Sequence, residues 1–144
     1  MASIQNGGRN RMRAPVFALI ALVASLAFVS PVVAQEGHPL KGSWLGTWGP
    51  SEDHTNVVVV IMDWDGQNIT GVINPGTDNI QLENATLDPD GWVLRFEAEG
   101  ESVTGSPLHY VVEGTIENLP FNDRFIRGTW RHENGSGPFE ITRQ

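Results

Sequence analysis

The side chains that could do chemistry are few and scattered in this sequence. Its histidines, His38, His54, His109 and His132, form no His-x-x-x-His or comparable metal-binding spacing. There is no Gly-x-Ser-x-Gly motif of the kind that presents a serine nucleophile, and there is no cysteine for thiolate or redox chemistry. The sequence therefore predicts no metal site and no nucleophilic centre.

Acidic residues offer two further possibilities for chemistry. Asp63 and Asp65, in "DWDG", are spaced as in a calcium loop, but the later oxygen ligands and the closing glutamate are missing. Asp65-Gly66 is also explained as a two-residue hairpin turn. Asp63 and Glu113 are the only candidates for a pair of acids in general acid–base catalysis, which requires opposed and partly buried carboxyl groups. The sequence places neither residue in such a position, so we predict no enzyme. No cofactor is predicted.

The N-terminal segment has the features of a secretory signal. Three arginines precede an apolar run over residues 16–29, and the small residue Ala34 follows two valines. This arrangement is typical of a signal peptide over residues 1–34, cleaved after Ala34, and predicts a secreted or periplasmic protein. An uncleaved membrane anchor is the alternative, because a longer count of the apolar stretch approaches spanning length.

The rest of the chain is strongly acidic. The leader carries three arginines and no acidic residue, so its removal changes the net charge from −8 to −11. Nucleic acids and anionic lipids both require a basic surface, so neither is expected as a partner once the signal is cleaved. We divide this part into a short N-terminal linker, residues 35–41, and a single domain over residues 42–144, which is long enough for one core.

Apolar and polar residues alternate with a period of two through most of the domain, and no helical period is evident. Turn sequences such as Asp65-Gly66 and Asn134-Gly135 separate the alternating segments. The fourth segment is expected to be irregular near Asn84. Eight strands are predicted: 42–48, 56–64, 68–73, 79–87, 92–99, 108–117, 124–132 and 138–143. Short strands joined by hairpin-length connections indicate an antiparallel meander.

Closure of this meander into an all-β, eight-stranded, up-and-down barrel explains the alternation, because a barrel hides its apolar face and has no exposed edges. The motif Gly-Thr-Trp, which occurs twice, then supplies an inward space, an outward threonine and an inward indole. His109 and His132 are predicted to face outward. The large residues predicted to face inward are Trp44, Trp48, Trp92, Leu94, Phe96, Tyr110, Trp130 and Phe139.

Gly42-Ser43-Trp44 at the start of the first strand, with Arg143 at the end of the last, resembles the calycin pattern of lipocalin-type barrels. In that family a basic side chain from the chain's end covers the tryptophan at the closed end, which implies a contact between Trp44 and Arg143 here. "DGQNITG" resembles the second hairpin of avidin-type barrels. The hairpins over residues 65–71 and 128–143 also resemble those of uncharacterised exported bacterial domains, which imply no known activity. The calycin resemblance implies a barrel that holds a ligand or binds a protein.

The connections sort by the end of the barrel on which they lie. The first, third, fifth and seventh share one end and are longer, so this end is predicted to be an open mouth and the other a floor. Acidic residues on the mouth loops, Glu52, Asp53, Asp78 and Glu101, would disfavour an anionic ligand. The residues predicted to point inward near the mouth are Trp48, Phe96, Tyr110, Trp130 and Phe139.

Two interpretations of this aromatic cluster remain open from sequence. The rings fill the barrel, as side chains do in narrow eight-stranded barrels, or they line a cavity for a small apolar molecule. The corresponding functions are ligand binding in the mouth and a structural or protein-interaction module with a filled core. Residues 57–61 favour the protein-interaction module. Consecutive valines in this strand occupy both faces and could present an apolar stripe to a partner.

Overall fold

The computed structural model describes residues 37–144, which form nine β-strands and, within that range, no helix. The predicted signal peptide, its cleavage after Ala34 and the alternative membrane anchor lie outside the described residues. In the described part of the chain, no helix has the length and hydropathy needed to cross a membrane. The strands are β1 (Gly42–Ser51), β2 (His54–Trp64), β3 (Ile69–Ile73), β4 (Ile80–Gln81), β5 (Glu83–Asp88), β6 (Val93–Glu101), β7 (Pro107–Glu117), β8 (Phe125–His132) and β9 (Gly135–Arg143).

The strands form one antiparallel sheet that curls into a nearly closed barrel. Chain neighbours pair from β1 to β4 and from β5 to β9, and β1 also pairs with β9, so that the first and last strands meet. The two edge strands, β4 and β5, are consecutive in the chain, with only Leu82 between them. In addition, β4 approaches β6 and β3 approaches β5. The predicted all-β antiparallel barrel is confirmed, with a small gap at this point.

The barrel has nine strands instead of eight because the predicted strand 79–87 is divided in two. Its first part, β4, pairs with β3, whereas its second part, β5, pairs with β6 through a register shift. Asn84 lies in β5 with φ of 49°, a left-handed conformation that asparagine adopts more readily than most residues. Between the two strands, Leu82 donates its N–H to the carbonyl oxygen of Gly71 at 3.0 Å. The segment thus changes partner without reversing direction.

Alternation along the strands builds the core. In β6, Leu94, Phe96 and Ala98 are buried, whereas Arg95 between them is exposed. The same alternation holds in β8, where Ile126 and Trp130 are buried. Every residue of the buried core among residues 37–144 is apolar. Burial of this inner face stabilises the barrel by removing apolar surface from water.

Trp92 does not lie inside the barrel, so its predicted inward position is wrong. The strand β6 begins only at Val93, and Trp92 precedes it with φ of 57° and an exposed fraction of 38%. Its carbonyl oxygen accepts a hydrogen bond from the N–H of Ile116 at 2.9 Å. Positive φ is rare for a bulky residue and turns the chain, so the strand alternation does not extend to Trp92.

Two glycines in the barrel wall allow a neighbouring strand and an aromatic ring to approach the backbone closely. A Cβ added to Gly128 would lie 2.0 Å from the carbonyl oxygen of Glu113 on the neighbouring strand. A Cβ added to Gly114 would lie 2.7 Å from Cζ of Phe139, an inward-facing ring. Since these distances are well below van der Waals contact, both positions need glycine for the strands to coil and for the aromatic ring to fit.

The floor of the barrel is closed by the segment before β1, which the sequence assigns to a linker. Leu40 is fully buried in the core. Its carbonyl oxygen accepts a hydrogen bond from Nε1 of Trp44 at 2.8 Å, and the carbonyl oxygen of Pro39 accepts one from Nη1 of Arg124 at 3.1 Å. The ring of His38 stacks on Trp64, with centroids 4.6 Å apart. Residues 38–40 therefore form a floor plug.

A candidate ligand cavity at the barrel mouth

The mouth of the barrel is the end at which four hairpin connections meet. In the antiparallel arrangement, the links β1–β2, β3–β4, β6–β7 and β8–β9 share this end. Their residues include exposed acids on separate loops. The acidic residues at or next to these links are Glu52, Asp53, Asp78, Glu101 and Glu133. The mouth is therefore a negatively charged rim around the inner face of the barrel.

A cavity of about 210 Å³ lies inside this rim. The exposed residues Asn74 and Glu101 belong to its lining, which shows that it reaches the surface at the mouth. The five aromatic residues predicted for the mouth all line it: Trp48, Phe96, Tyr110, Trp130 and Phe139. Valine and isoleucine side chains of β2, β3, β4, β7 and β9 complete a mainly apolar wall. The described structure thus has a packed apolar core and, above it, a cavity at the mouth, so each of the two interpretations describes part of the barrel.

Three of these rings are steeply inclined to one another. Trp48 and Trp130 have centroids 5.2 Å apart and planes at 74°, and Trp48 and Tyr110 are 6.1 Å apart at 83°. Tyr110 and Trp130 are 6.0 Å apart at 57°. Edge-to-face arrangements of this kind are the favoured geometry of aromatic pairs. The cavity therefore has a three-sided aromatic corner instead of one flat platform.

The polar groups of this corner differ in their bonding. Nε1 of Trp130 donates a hydrogen bond to the carbonyl oxygen of Gly49 at 3.1 Å, and this holds its indole against β1. Among the described residues, neither Nε1 of Trp48 nor the hydroxyl of Tyr110 has a hydrogen-bond partner. Burial raises the pKa of the Tyr110 hydroxyl, so this group remains a neutral donor near pH 7. Two donors are thus available to a ligand or to water.

His132 belongs to the mouth cluster, so the prediction that it faces outward is wrong. Its ring lies 5.2 Å from the ring of Tyr110, with planes at 87°, and 5.5 Å from the ring of Trp130, with planes at 30°. The residue stands two positions after Trp130 in β8 and therefore shares its face. Consistent application of the alternation would have found it. His109, in contrast, is on the outer wall, where it pairs with Glu97 and Glu99.

At the floor, Trp44 and Arg143 are register partners on β1 and β9. Trp44 is fully buried, and the side chain of Arg143 packs against Gly42, the first residue of β1. The structure thus brings together the two ends of the chain on which the calycin resemblance depends. It adds Leu40 and Arg124 to this end of the barrel. Sequence reasoning missed Leu40 because this residue stands outside the alternating segments.

The candidates for other chemistry lie apart on the exposed surface. Asp63 pairs with Lys41 at 3.0 Å, whereas Glu113 pairs with Arg95 at 3.5 Å. Hydrogen bonds from Lys41 and from the backbone N–H of Trp64 lower the pKa of Asp63. Oδ1 of Asp65 accepts the N–H groups of Asn68 and Gln67 in a turn, and these bonds lower its pKa. Within residues 37–144, no group of three or more His, Cys, Asp or Glu side chains could hold a metal ion.

The strand at residues 57–61 presents its side chains to both faces of the wall. Val58 and Val60 are buried in the interior, while Val57 is 69% and Ile61 38% exposed on the outside. Leu45, the register partner of Val59 on β1, is also exposed. These outward residues, Leu45, Val57, Val59 and Ile61, form an outer apolar patch.

Comparison of the chain with protein-family models, with curated proteins and with solved structures found no match.

Proposed function

We propose that this chain is an exported, calycin-like barrel that binds a small apolar ligand in its mouth cavity. The observation that carries the proposal is the cavity of about 210 Å³, lined by aromatic and aliphatic side chains and open at one end. An apolar cavity of roughly 150 Å³ is enough to bind benzene. The present cavity suits one aromatic ring with short substituents, which the free donors of Trp48 and Tyr110 would orient.

The calycin-like assignment draws support from the closed end. Trp44 and Arg143, the two residues on which the resemblance depends, are register partners across the seam between β1 and β9. The floor plug covers this end, whereas the cavity opens at the mouth. Binding without catalysis is proposed because the polar side-chain groups that line the cavity in the described chain are few: Asn74 and Glu101 at its rim, the Tyr110 hydroxyl and the indole N–H groups of Trp48 and Trp130. No cofactor and no metal are part of this proposal, and the predicted secreted or periplasmic location is retained.

A fluorescent probe tests the proposal. The emission of 1-naphthylamine, a small neutral probe, should rise when it is titrated with the protein. Ala98→Leu should abolish this rise, because Ala98 is buried in the cavity lining and a larger side chain would occupy the space. Thr129→Leu is the matched control, since Thr129 lies on the exposed outer face of β8. An emission rise that survives Ala98→Leu, or no rise with the unaltered protein, would contradict the proposal.

A second candidate function is contact with a protein partner through the outer apolar patch. It is favoured by the exposure of Val57 and Ile61, which lie on the outer face of β2 on either side of Val59. A photo-crosslinking side chain introduced at Val57 should then give one defined adduct in the exported fraction of the producing cell. The same group at Thr129, on the outer wall away from the patch, should give none. Equal or absent adducts at the two positions would contradict this candidate.

A further inference from the structure

The shape of the aromatic corner is selective among apolar groups. Trp48, Tyr110 and Trp130 all line the cavity with planes inclined by 57° to 83°. A flat ring can stack on only one such surface at a time. A rounded group about the size of trimethylammonium can contact all three rings together. Corners of this kind favour quaternary ammonium groups, because the negative faces of aromatic rings attract cations.

The charge around the aromatic corner is negative, which is the sign that attracts a cation. Glu101 is the single charged residue among those that line the cavity, and no lysine or arginine of the described chain lines it. Arg131, at the mouth end of β8, is exposed and lies outside the lining. The acids of the other mouth loops add to the negative rim. A cleft lined by charges of one sign raises the local concentration of ligands of the opposite charge.

We propose that the ligand of the mouth cavity carries a compact organic cation, such as a quaternary ammonium group, attached to a small apolar body. The cation would rest in the corner of Trp48, Tyr110 and Trp130, with Glu101 as its counter-charge. This inference rests on the proposed function and adds the chemical class of the ligand to it.

Three compounds of nearly equal shape test the inference by calorimetry or NMR titration. Phenyltrimethylammonium is a cation, tert-butylbenzene is its neutral counterpart, and benzenesulfonate is an anion. The cation should bind about tenfold more tightly than the neutral compound, from cation–π attraction and the carboxylate together, and the anion most weakly. If tert-butylbenzene binds as tightly as the cation, the inference fails and the proposed function stands. If none of the three binds, both fail.

Variants separate charge from shape. Glu101→Gln should weaken binding of the cation about threefold at low salt and leave tert-butylbenzene unchanged, because a rim carboxylate contributes mainly screened Coulomb attraction. Glu117→Gln makes the same change of charge at the floor end of β7 and should leave the affinity for both compounds unchanged. An equal loss of cation affinity in the two variants, or no loss in Glu101→Gln, would overturn the assignment of Glu101.

Discussion

Trp48 and Trp130 touch each other in the mouth but are held differently. Trp130 is buried and hydrogen-bonded to Gly49, whereas Trp48 is half-buried and its Nε1 has no partner among the described residues. Alternation from the two Gly-Thr-Trp motifs was sufficient to predict that both indoles face inward. It could not show which of them supports the fold, because that depends on contacts between β1 and β8, which are far apart in the sequence.

Replacement of each tryptophan should separate stability from binding. Trp130→Ala should lower the free energy of unfolding by about 3–5 kcal/mol, since it removes a packed aromatic side chain. Trp48→Ala should cost less, because this residue is half-buried, and should abolish the fluorescence response of 1-naphthylamine. Chemical denaturation and probe titration of both variants measure the two effects. Equal destabilisation by the two substitutions would contradict the distinction.

Two histidines should have pKa values on opposite sides of the ordinary value of 6.5, that of His109 above it and that of His38 below it. The hydrogen bond to Glu99 raises the pKa of His109, so its stabilising effect is present below pH 6.5 and is lost as the pH rises through the folded-state pKa. Burial lowers the pKa of His38, so its effect is present above pH 6.5 and is lost as the pH falls through the folded-state pKa. NMR titration of the ring protons measures both values.

Glu99→Gln supplies the control for the histidine titration. It should bring the midpoint of His109 back toward 6.5 and leave that of His38 unchanged, because Glu99 is the main cause of the shift at His109 alone. A His109 midpoint that does not respond to Glu99→Gln would contradict the pairing.

At the scale of elements, the floor plug is the part of the fold least visible in the sequence. Residues 38–40 have no strand alternation, and Leu40 is a lone apolar residue between a proline and a lysine. The plug is held by Trp44 of β1 and by Arg124, which directly precedes β8, because both side chains donate hydrogen bonds to its carbonyl oxygens. Most strands, in contrast, were predictable because alternation and turn residues are local properties. The division of β4 from β5 was not, because a strand can change partner without a turn.

Removal of the plug side chain should destabilise the barrel. Leu40→Ala should lower the free energy of unfolding by about 2–5 kcal/mol, the usual cost of such a cavity in a core. Leu45→Ala is a matched control, because the same atoms are removed from an exposed position on the outer face of β1. Chemical denaturation of the two variants measures the difference. A similar small loss for both would contradict a packed floor.

The close approach of β7 and β8 gives a second prediction at this scale. Gly128→Ala should destabilise the fold by about 1–3 kcal/mol, because the added Cβ would overlap the carbonyl oxygen of Glu113 and separate the two strands. Gly37→Ala is the control, since no atom lies within 4 Å of a Cβ added there. Thermal unfolding compares the two variants. Equal midpoints for Gly128→Ala and the unaltered protein would show that the strands have room to separate.

At the scale of the whole molecule, the barrel has a plugged floor and an open mouth. The sequence predicted the two ends from the lengths of the connections, and it predicted all five aromatic residues that line the cavity. It could not decide whether side chains fill the mouth end of the barrel or leave a cavity there. That outcome depends on the coiling of the strands and on the summed volume of side chains from every strand, which no local pattern records.

The most direct test of a binding site at the mouth is an NMR titration that follows the indole N–H signals of the five tryptophans. On addition of phenyltrimethylammonium or tert-butylbenzene, the signals of Trp48 and Trp130 should shift, because these residues line the cavity. The signals of Trp44, Trp64 and Trp92, at the floor, should stay in place. Shifts confined to the floor tryptophans, or no shift with either compound, would contradict a binding site in the mouth.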